Sequence, residues 1–205
     1  MGVVRTTIAP ESFLKQLNAA RAHASRLERR LAAYQYLAGP DGNGFVFVVP
    51  ADRRLPPSPD GLDLAWKQGI IPALQAAGLP EWARPDIESF LEPEGSPLSY
   101  FHCSLLIREL QELGAVWHGA YWSTHEIVTE LNPGLTEDWR WSGKPPGQLL
   151  PQVTVTGPGE ATVRFCTVTS YVQQQLYCHT DTYSGGVRVD RASEVIATGG
   201  AGYIY

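Results

Sequence analysis

The chain has 205 residues, of which 43% are hydrophobic and 18% are charged. This composition is enough for a packed core and is too apolar for a disordered chain, and the length suits a single domain, 1–205. No apolar run approaches the roughly 18–20 residues of a membrane-spanning helix, so we expect no membrane partner.

The net charge of −5 is unevenly spread along the chain. Residues 1–54 carry a net charge of +4, residues 55–160 carry −9, and residues 161–205 are balanced. The acidic middle argues against a nucleic-acid surface there. The arginines at 21, 26, 29 and 30 form the candidate basic patch, which we interpret as the solvated face of a helix. We therefore expect no nucleic-acid partner.

The three cysteines and the N-terminal sequence indicate whether the compartment is reducing or oxidising. Their number is odd, and the N-terminus lacks the apolar core of a signal peptide. We therefore expect a cytoplasmic protein with reduced thiols.

A long first helix is predicted from Pro10 to the Gly39-Pro40 pair. Pro10 and Glu11 are typical of a first helical turn, and Gly39-Pro40 is typical of a helix end. Apolar residues recur between them in alternating steps of four and three, at Phe13, Leu17, Ala20, Ala24, Leu27, Leu31 and Tyr34. This stripe suits packing on the chain's own sheet, and a homodimer seam through Phe13–Tyr34 is the alternative.

The middle of the chain reads as one strand followed by further helices. Residues 45–49 are apolar on both faces and predict an interior strand. Helices are predicted over 60–78 and 80–90. Another is predicted from Ser96-Pro97, a cap and first-turn pair, to Gly114, with five apolar side chains facing inward: Phe101, Leu105, Leu106, Leu110 and Leu113.

One more helix is predicted from Ser123 to Leu131. Ser123 and Glu126 have the spacing of a capping box. Trp122 and Ile127 flank that box as a hydrophobic staple would.

From Gln152 onward the apolar period changes to two, which predicts strands. Glycine-rich turns are predicted at 157–159 and 185–186. The sequence thus predicts an α+β fold, with N-terminal and central helices packed on one face of a C-terminal, mostly antiparallel sheet. The helix-rich part is 1–134 and the strand-rich part is 152–205.

The most β-prone stretch is 161–183, which is rich in Val, Thr and Tyr and contains no Gly or Pro. A hairpin centred on Val172 would place Cys166 opposite Cys178, but the glutamines 173–175 make a poor tight turn. One long bent strand is the equal alternative. The alternation separates Cys178 from His179, and the sequence leaves open which face is buried.

The first candidate site is aromatic. Trp117, Tyr121 and Trp122 could wall a ligand pocket, and His118 and His125 lie among them. His125 would be the second residue of its predicted helix, where the helix dipole lowers its pKa and favours the neutral ring. The alternative is that these rings belong to the core.

The second candidate site is His179 with Asp181, which share one face of a strand as a base and its orienting carboxylate would. The alternative is a polar strand end facing solvent.

The function remains open at this stage. No phosphate loop, dinucleotide-binding motif, nucleophile elbow or zinc-ligand spacing occurs, so we expect no metal and no cofactor. The first hypothesis is a non-catalytic protein that binds a small molecule or a protein partner. The alternative is an enzyme with acid–base or hydrolytic chemistry in a pocket between helices and sheet, with His179, Asp181, His125 and His118 as its catalytic candidates.

Overall fold

The computed structural model of the chain describes residues 4–7, 29–35, 44–50, 52–54, 81–82, 91–112, 122–131, 139–170 and 172–201. Within these ranges the chain forms nine strands, one α-helix and one short 3₁₀ helix, Trp122–Thr124. The elements are β1 (Val4–Thr7), β2 (Arg29–Gln35), β3 (Gly44–Pro50), α1 (Pro97–Glu112), β4 (His125–Val128), β5 (Arg140–Trp141), β6 (Gln152–Gly157), β7 (Glu160–Thr169), β8 (Gln173–Ser184) and β9 (Val187–Ala201).

The described residues belong to two compact units. The first unit contains β1, α1 as far as Leu106, and the strands from β4 to β9. The second unit contains the β2–β3 pair and the rest of α1. The prediction of a single domain stays a prediction.

The first unit is built on one antiparallel sheet of seven strands. Six strands follow the order β1-β6-β7-β8-β9-β5. The seventh, β4, shares an edge of β7 with β6, because β6 pairs with residues 160–164 of β7 and β4 pairs with residues 166–169. The ten-residue strand β7 therefore has partners along both of its edges, which satisfies its backbone hydrogen-bonding groups.

The centre of the sheet is the β7–β8 hairpin. Its register pairs residues 161–169 with residues 183–175, so that the centre falls at Val172. The backbone of Val172 has a φ of 62° and its side chain is exposed. This conformation is strained for a β-branched residue, and tight turns usually place Gly, Asn or Asp at such a position.

Two glycine turns meet at the other end of this hairpin, as the sequence predicts. Gly185 and Gly186 both have positive φ, as a type I′ turn between β8 and β9 requires. The Gly186 N–H donates to the carbonyl oxygen of Gly159 in the β6–β7 turn at 3.0 Å. The Glu160 carboxylate also accepts hydrogen bonds from Ser184 Oγ at 2.8 Å and from the Gly185 N–H at 3.0 Å.

The predicted helix starting at Ser96-Pro97 is confirmed as α1. Ser96 caps it, because its Oγ accepts a hydrogen bond from the Ser99 N–H at 3.2 Å and donates one to Glu94 at 2.9 Å. Phe101, Leu105 and Leu106 are buried as predicted, whereas the side chains of Leu110 and Leu113 lie outside the description.

The two faces of the β7–β8 hairpin are both covered. The face with Phe165, Thr167, His179, Asp181 and Tyr183, called here the histidine face, packs on α1. There the Phe101 and Phe165 rings lie edge to face at 5.6 Å, and the Tyr100 and Tyr183 rings do so at 5.1 Å. The Tyr183 hydroxyl contacts Ser104 Oγ at 2.9 Å and donates to the Tyr100 carbonyl oxygen at 3.2 Å.

The opposite face, called here the cysteine face, carries Cys166, Leu176 and Cys178. They form a buried cluster with Leu149 and Ala197. Half-buried side chains that precede β6 in the chain pack against this cluster, together with Ile196: Val128, Leu131, Trp139 and Trp141. The question of which face is buried is thus resolved, because both are.

The predicted α+β fold class is wrong. The described part of the chain has one α-helix against a large antiparallel sheet, rather than N-terminal and central helices packed on a sheet. Only its antiparallel C-terminal sheet is confirmed.

The predicted helices fail where long-range pairing is available. Residues 29–35 of the predicted first helix form β2, because the confirmed strand β3 needs a partner for its backbone groups. The predicted helix at 123–131 is replaced by the 3₁₀ turn and β4, because the second half of β7 would otherwise lack a partner on that edge. Most of the homodimer stripe and most of the predicted helices over 60–90 lie outside the described residues.

Among the described residues, no helix has the length and hydropathy needed to cross a membrane.

The contact between the two glycine turns predicts a large effect of Gly159→Ala. A Cβ at Gly159, where φ is 75°, would lie 2.6 Å from the Gly186 nitrogen. We expect a loss of about 2–3 kcal/mol in the free energy of unfolding, measured by urea denaturation. Gly157→Ala in the same turn is the control, since its Cβ meets only Glu160 at 3.8 Å. Equal stability of the two variants would contradict the contact.

The buried imidazole of His102 on α1 predicts a pH dependence of stability. Burial lowers the pKa of His102 from 6.5 to about 4, although Glu94 opposes the shift. The unfolded chain therefore takes up this proton first, so stability is full above the unfolded pKa and falls as the pH drops toward 4.

Between pH 7 and pH 5 we expect this one group to remove about 1–2 kcal/mol of stability. His102→Leu should flatten the profile over that window, measured by urea denaturation. Parallel profiles for the variant and the wild type would rule out the buried neutral imidazole.

Candidate functional site

A chain of polar side chains runs across the histidine face from β4 to β9. His125 Nδ1 lies 2.7 Å from Thr167 Oγ1, which lies 2.7 Å from His179 Nε2. His179 Nδ1 in turn lies 2.8 Å from Ser193 Oγ. His125 extends from β4, Thr167 from β7, His179 from β8 and Ser193 from β9, so four neighbouring strands contribute one member each.

Strand register explains this alignment. His179 is the direct cross-strand partner of both Phe165 and Ser193. His125 is the partner of Thr169, which places its ring diagonally next to Thr167 on the same face. Two strand pairings, β4 with β7 and β7 with β8, therefore bring His125 and His179 together.

The hydroxyl protons decide in which direction the hydrogen bonds of this row of polar side chains are donated. Thr167 has one hydroxyl proton, so when both imidazoles are neutral it donates to one of them and accepts from the other. If it donates to His179 Nε2, then His179 Nδ1–H donates to Ser193; in the reverse arrangement every donor becomes an acceptor. Switching between the two arrangements carries one proton from one end of the chain to the other, which is the behaviour of a proton relay.

The hydrogen-bonded row from His125 to Ser193 is buried at its centre and exposed to solvent at its Ser193 end. Thr167 is 0% exposed and His179 is 3% exposed, whereas Ser193 is exposed. Rings enclose His179, since Phe165 lies at 4.9 Å and Tyr177 stacks on it at 6.0 Å between centroids. The structure thus brings His125 and His179 together, with 5.7 Å between ring centroids.

Asp181 does not orient His179, because both His179 nitrogens bond to hydroxyls. Asp181 is fully buried, and its Oδ2 lies 3.7 Å from Arg188 Nη1, itself buried. This ion pair joins β8 to β9, with Asp181 two residues after His179 on β8 and Arg188 opposite Tyr183. His125 is the first residue of strand β4, rather than the second residue of a helix as predicted.

The cysteine face carries a second arrangement. Cys166 and Cys178 are direct cross-strand partners, and both are buried free thiols. Arg164 Nε donates to Cys178 Sγ at 3.0 Å. The Cys166 S–H donates to Cys178 and, with the Arg164 guanidinium, lowers the pKa of Cys178 against the effect of burial. The same contact and burial raise the pKa of Cys166.

A cavity of about 400 Å³ lies beside this pair. One wall consists of residues from the 142–150 segment, including Lys144 and Leu149. The other wall comes from the sheet and includes Arg164, Cys166, Glu194 and Ile196. Apolar side chains, two cationic groups and one carboxylate therefore surround the same space.

Most of the predicted aromatic site lies outside the described residues, so this site stays a prediction. Trp117, His118 and Tyr121 lie outside the described residues. Trp122 is half-buried in the 3₁₀ helix, and the Arg108 guanidinium lies 5.6 Å from its ring centroid.

Sequence reasoning missed the hydroxyls and Arg164. Thr167 and Ser193 have no distinctive local pattern, and only the register shows that they flank His179. The position of Arg164 can be predicted from the sequence, because it lies two residues before Cys166 on one strand and so shares its face. A hairpin centred on Val172 places that face against Cys178.

No three His, Cys, Asp or Glu side chains are grouped as metal ligands within the described ranges.

No family model, curated protein or solved structure matches this chain.

The central position of Thr167 predicts a large stability difference between two conservative variants. Thr167→Val keeps the shape but leaves two buried imidazole nitrogens without their hydroxyl partner, so we expect a loss of about 2–3 kcal/mol. Thr167→Ser keeps the hydroxyl and should lose about 1 kcal/mol for the missing methyl group. Urea denaturation of both variants measures the difference. A valine variant as stable as the serine variant would show that the hydroxyl does not link the histidines.

Proposed function

We propose that the protein binds a small organic acid in the cavity beside Arg164, and that the ligand is held rather than transformed. The observation that carries this proposal is the Arg164 guanidinium in the cavity wall, fixed by its bond to Cys178. A cationic group that is already oriented loses little freedom when it binds an anion, so it favours a carboxylate or a phosphate.

The rest of the lining supports a small ligand. The volume of about 400 Å³ lies within the usual range of ligand sites. Leu149 and Ile196 offer apolar contact, and Lys144 adds a second positive charge. Glu194 on the sheet wall would accept a hydrogen bond, so the preferred ligand combines its acidic group with a hydroxyl or an amine.

The architecture of the cavity also suits binding. The sheet wall is fixed by the ladders of β6, β7 and β9, whereas the opposite wall is an irregular segment before β6. Binding sites commonly combine a rigid scaffold with such a loop. The cytoplasmic location remains part of this proposal and is supported by the three free thiols.

The second candidate function is acid–base catalysis on the histidine face. It is favoured by one observation, the hydroxyl link between His125 and His179, which can move a proton between the half-buried His125 and the exposed Ser193. In that case Thr167 and His179 act as the relay and Ser193 faces the substrate. Thr167→Val should then reduce the catalytic activity, although Thr167 lies on the opposite face of the sheet from the cavity.

The binding proposal is tested with an anionic fluorescent probe, anilinonaphthalene sulfonate. We expect one probe per chain, with an affinity that falls about tenfold in Arg164→Gln, the loss typical for one charged hydrogen bond. Gly147 lines the cavity and a Cβ there meets nothing within 4 Å, so Gly147→Leu should weaken binding by occupying space at the cavity wall. Fluorescence titration measures both effects.

The matched control is Gly200→Leu, which adds the same side chain at another open position, on β9 and outside the cavity lining. It should bind the probe like the wild type. The uncharged analogue phenylnaphthylamine should bind wild type and Arg164→Gln equally. Probe binding that Gly147→Leu leaves unchanged, or that ignores the charge at Arg164, would contradict the proposed site.

A further inference from the structure

The cysteine pair has a geometry that core packing alone does not require. Cys166 and Cys178 face each other directly across β7 and β8. Directly opposed residues in an antiparallel pair have Cα atoms about 4.5–5.5 Å apart, which lies within the span of a disulfide bridge. The Cα separation of the pair therefore permits a disulfide bond.

The environment distinguishes the two thiols. Arg164 contacts the sulfur of Cys178, and the Cys166 S–H donates to the same atom. Both contacts favour the Cys178 thiolate over its thiol. Glu194, the cross-strand partner of Cys178 on β9, weakens this effect but does not reverse it.

Access is provided from the side of the cavity. Arg164 and Cys166 line its wall, so a small molecule in the cavity lies next to the two residues that adjoin Cys178, which is itself 2% exposed. Cys103, the third cysteine, lies buried on α1, and burial raises its pKa to about 12. The chain thus contains one activated pair and one inert thiol.

We propose that Cys166 and Cys178 form a redox-active dithiol that reduces a small hydroperoxide, with Cys178 as the attacking thiolate and Cys166 as the resolving thiol. This activity goes beyond the binding of an organic acid and does not depend on it. Its substrate class is a hydroperoxide small enough to pass through the cavity.

The reaction balances within the pair. The Cys178 thiolate attacks the terminal peroxide oxygen, the O–O bond breaks, and Cys178 becomes a sulfenic acid. The alkoxide leaves and takes the proton of Cys166, which gives an alcohol. The Cys166 thiolate then attacks the Cys178 sulfur, the S–S bond forms, the S–O bond breaks, and hydroxide leaves as water with a solvent proton. One peroxide is reduced and two thiols are oxidised, and an external thiol reductant resets the pair.

The experiment treats the full chain with one equivalent of tert-butyl hydroperoxide and follows it by mass spectrometry. We expect the loss of two hydrogen atoms and a peptide that links Cys166 to Cys178, with Cys103 unmodified. Cys166→Ser should stop at the Cys178 sulfenic acid, which dimedone traps. Cys178→Ser should react at least tenfold more slowly.

Arg164→Gln tests the activation separately from folding of the cysteine variants. It should slow the reaction about tenfold, whereas Arg140→Gln, an exposed arginine on β5, should not. As the pH is lowered, the wild-type rate should stay constant through the ordinary thiol pKa of about 8.5 and decrease only at lower pH, because the pKa of Cys178 is lowered.

A purely structural pair gives other results. If all three cysteines of the wild type are oxidised slowly and at equal rates, that result alone would overturn the proposal. So would dimedone labelling at Cys103 before Cys178, or a rate that is insensitive to Arg164→Gln.

Discussion

The register of the β7–β8 hairpin is the constraint on which the rest of the first unit depends. Because its centre falls at Val172, Phe165 lies opposite His179 and Cys166 lies opposite Cys178. A shift by one residue would move every side chain to the other face of the sheet. The chain of hydroxyls and imidazoles and the pair of thiols would both be lost in that register.

The hairpin has two chemically different faces, and each is covered by a different part of the chain. Helix α1 covers the histidine face through Phe101 and Tyr100. The cysteine face is covered by side chains from the 128–149 stretch, beside which the cavity opens. The hydrogen-bonded histidines lie on the first face, whereas the cavity and the thiol pair lie together on the second face, where both include Arg164.

Local signals predicted the elements whose causes are local. The cap at Ser96, the glycine turns at 157–159 and 185–186, and the alternation from Gln152 are all found in the structure. Spacing and a capping box predict helices from Pro10 and from Ser123, but residues 29–35 and 125–128 pair as β2 and β4. Their conformation is decided by strands distant in sequence, which a local pattern does not contain. For the same reason His179 was recognised as a candidate, whereas its partners Thr167 and Ser193 were not.

Hydrogen exchange of the native protein tests the central role of the hairpin most directly. If the β7–β8 ladder is the core of the unit, the slowest amides should lie in residues 163–168 and 176–181, with consecutive residues equally protected. The amides of α1 should exchange faster than these. Slowest exchange in α1, or protection restricted to every second residue of β7 and β8, would contradict a hairpin that is paired on both edges and covered on both faces.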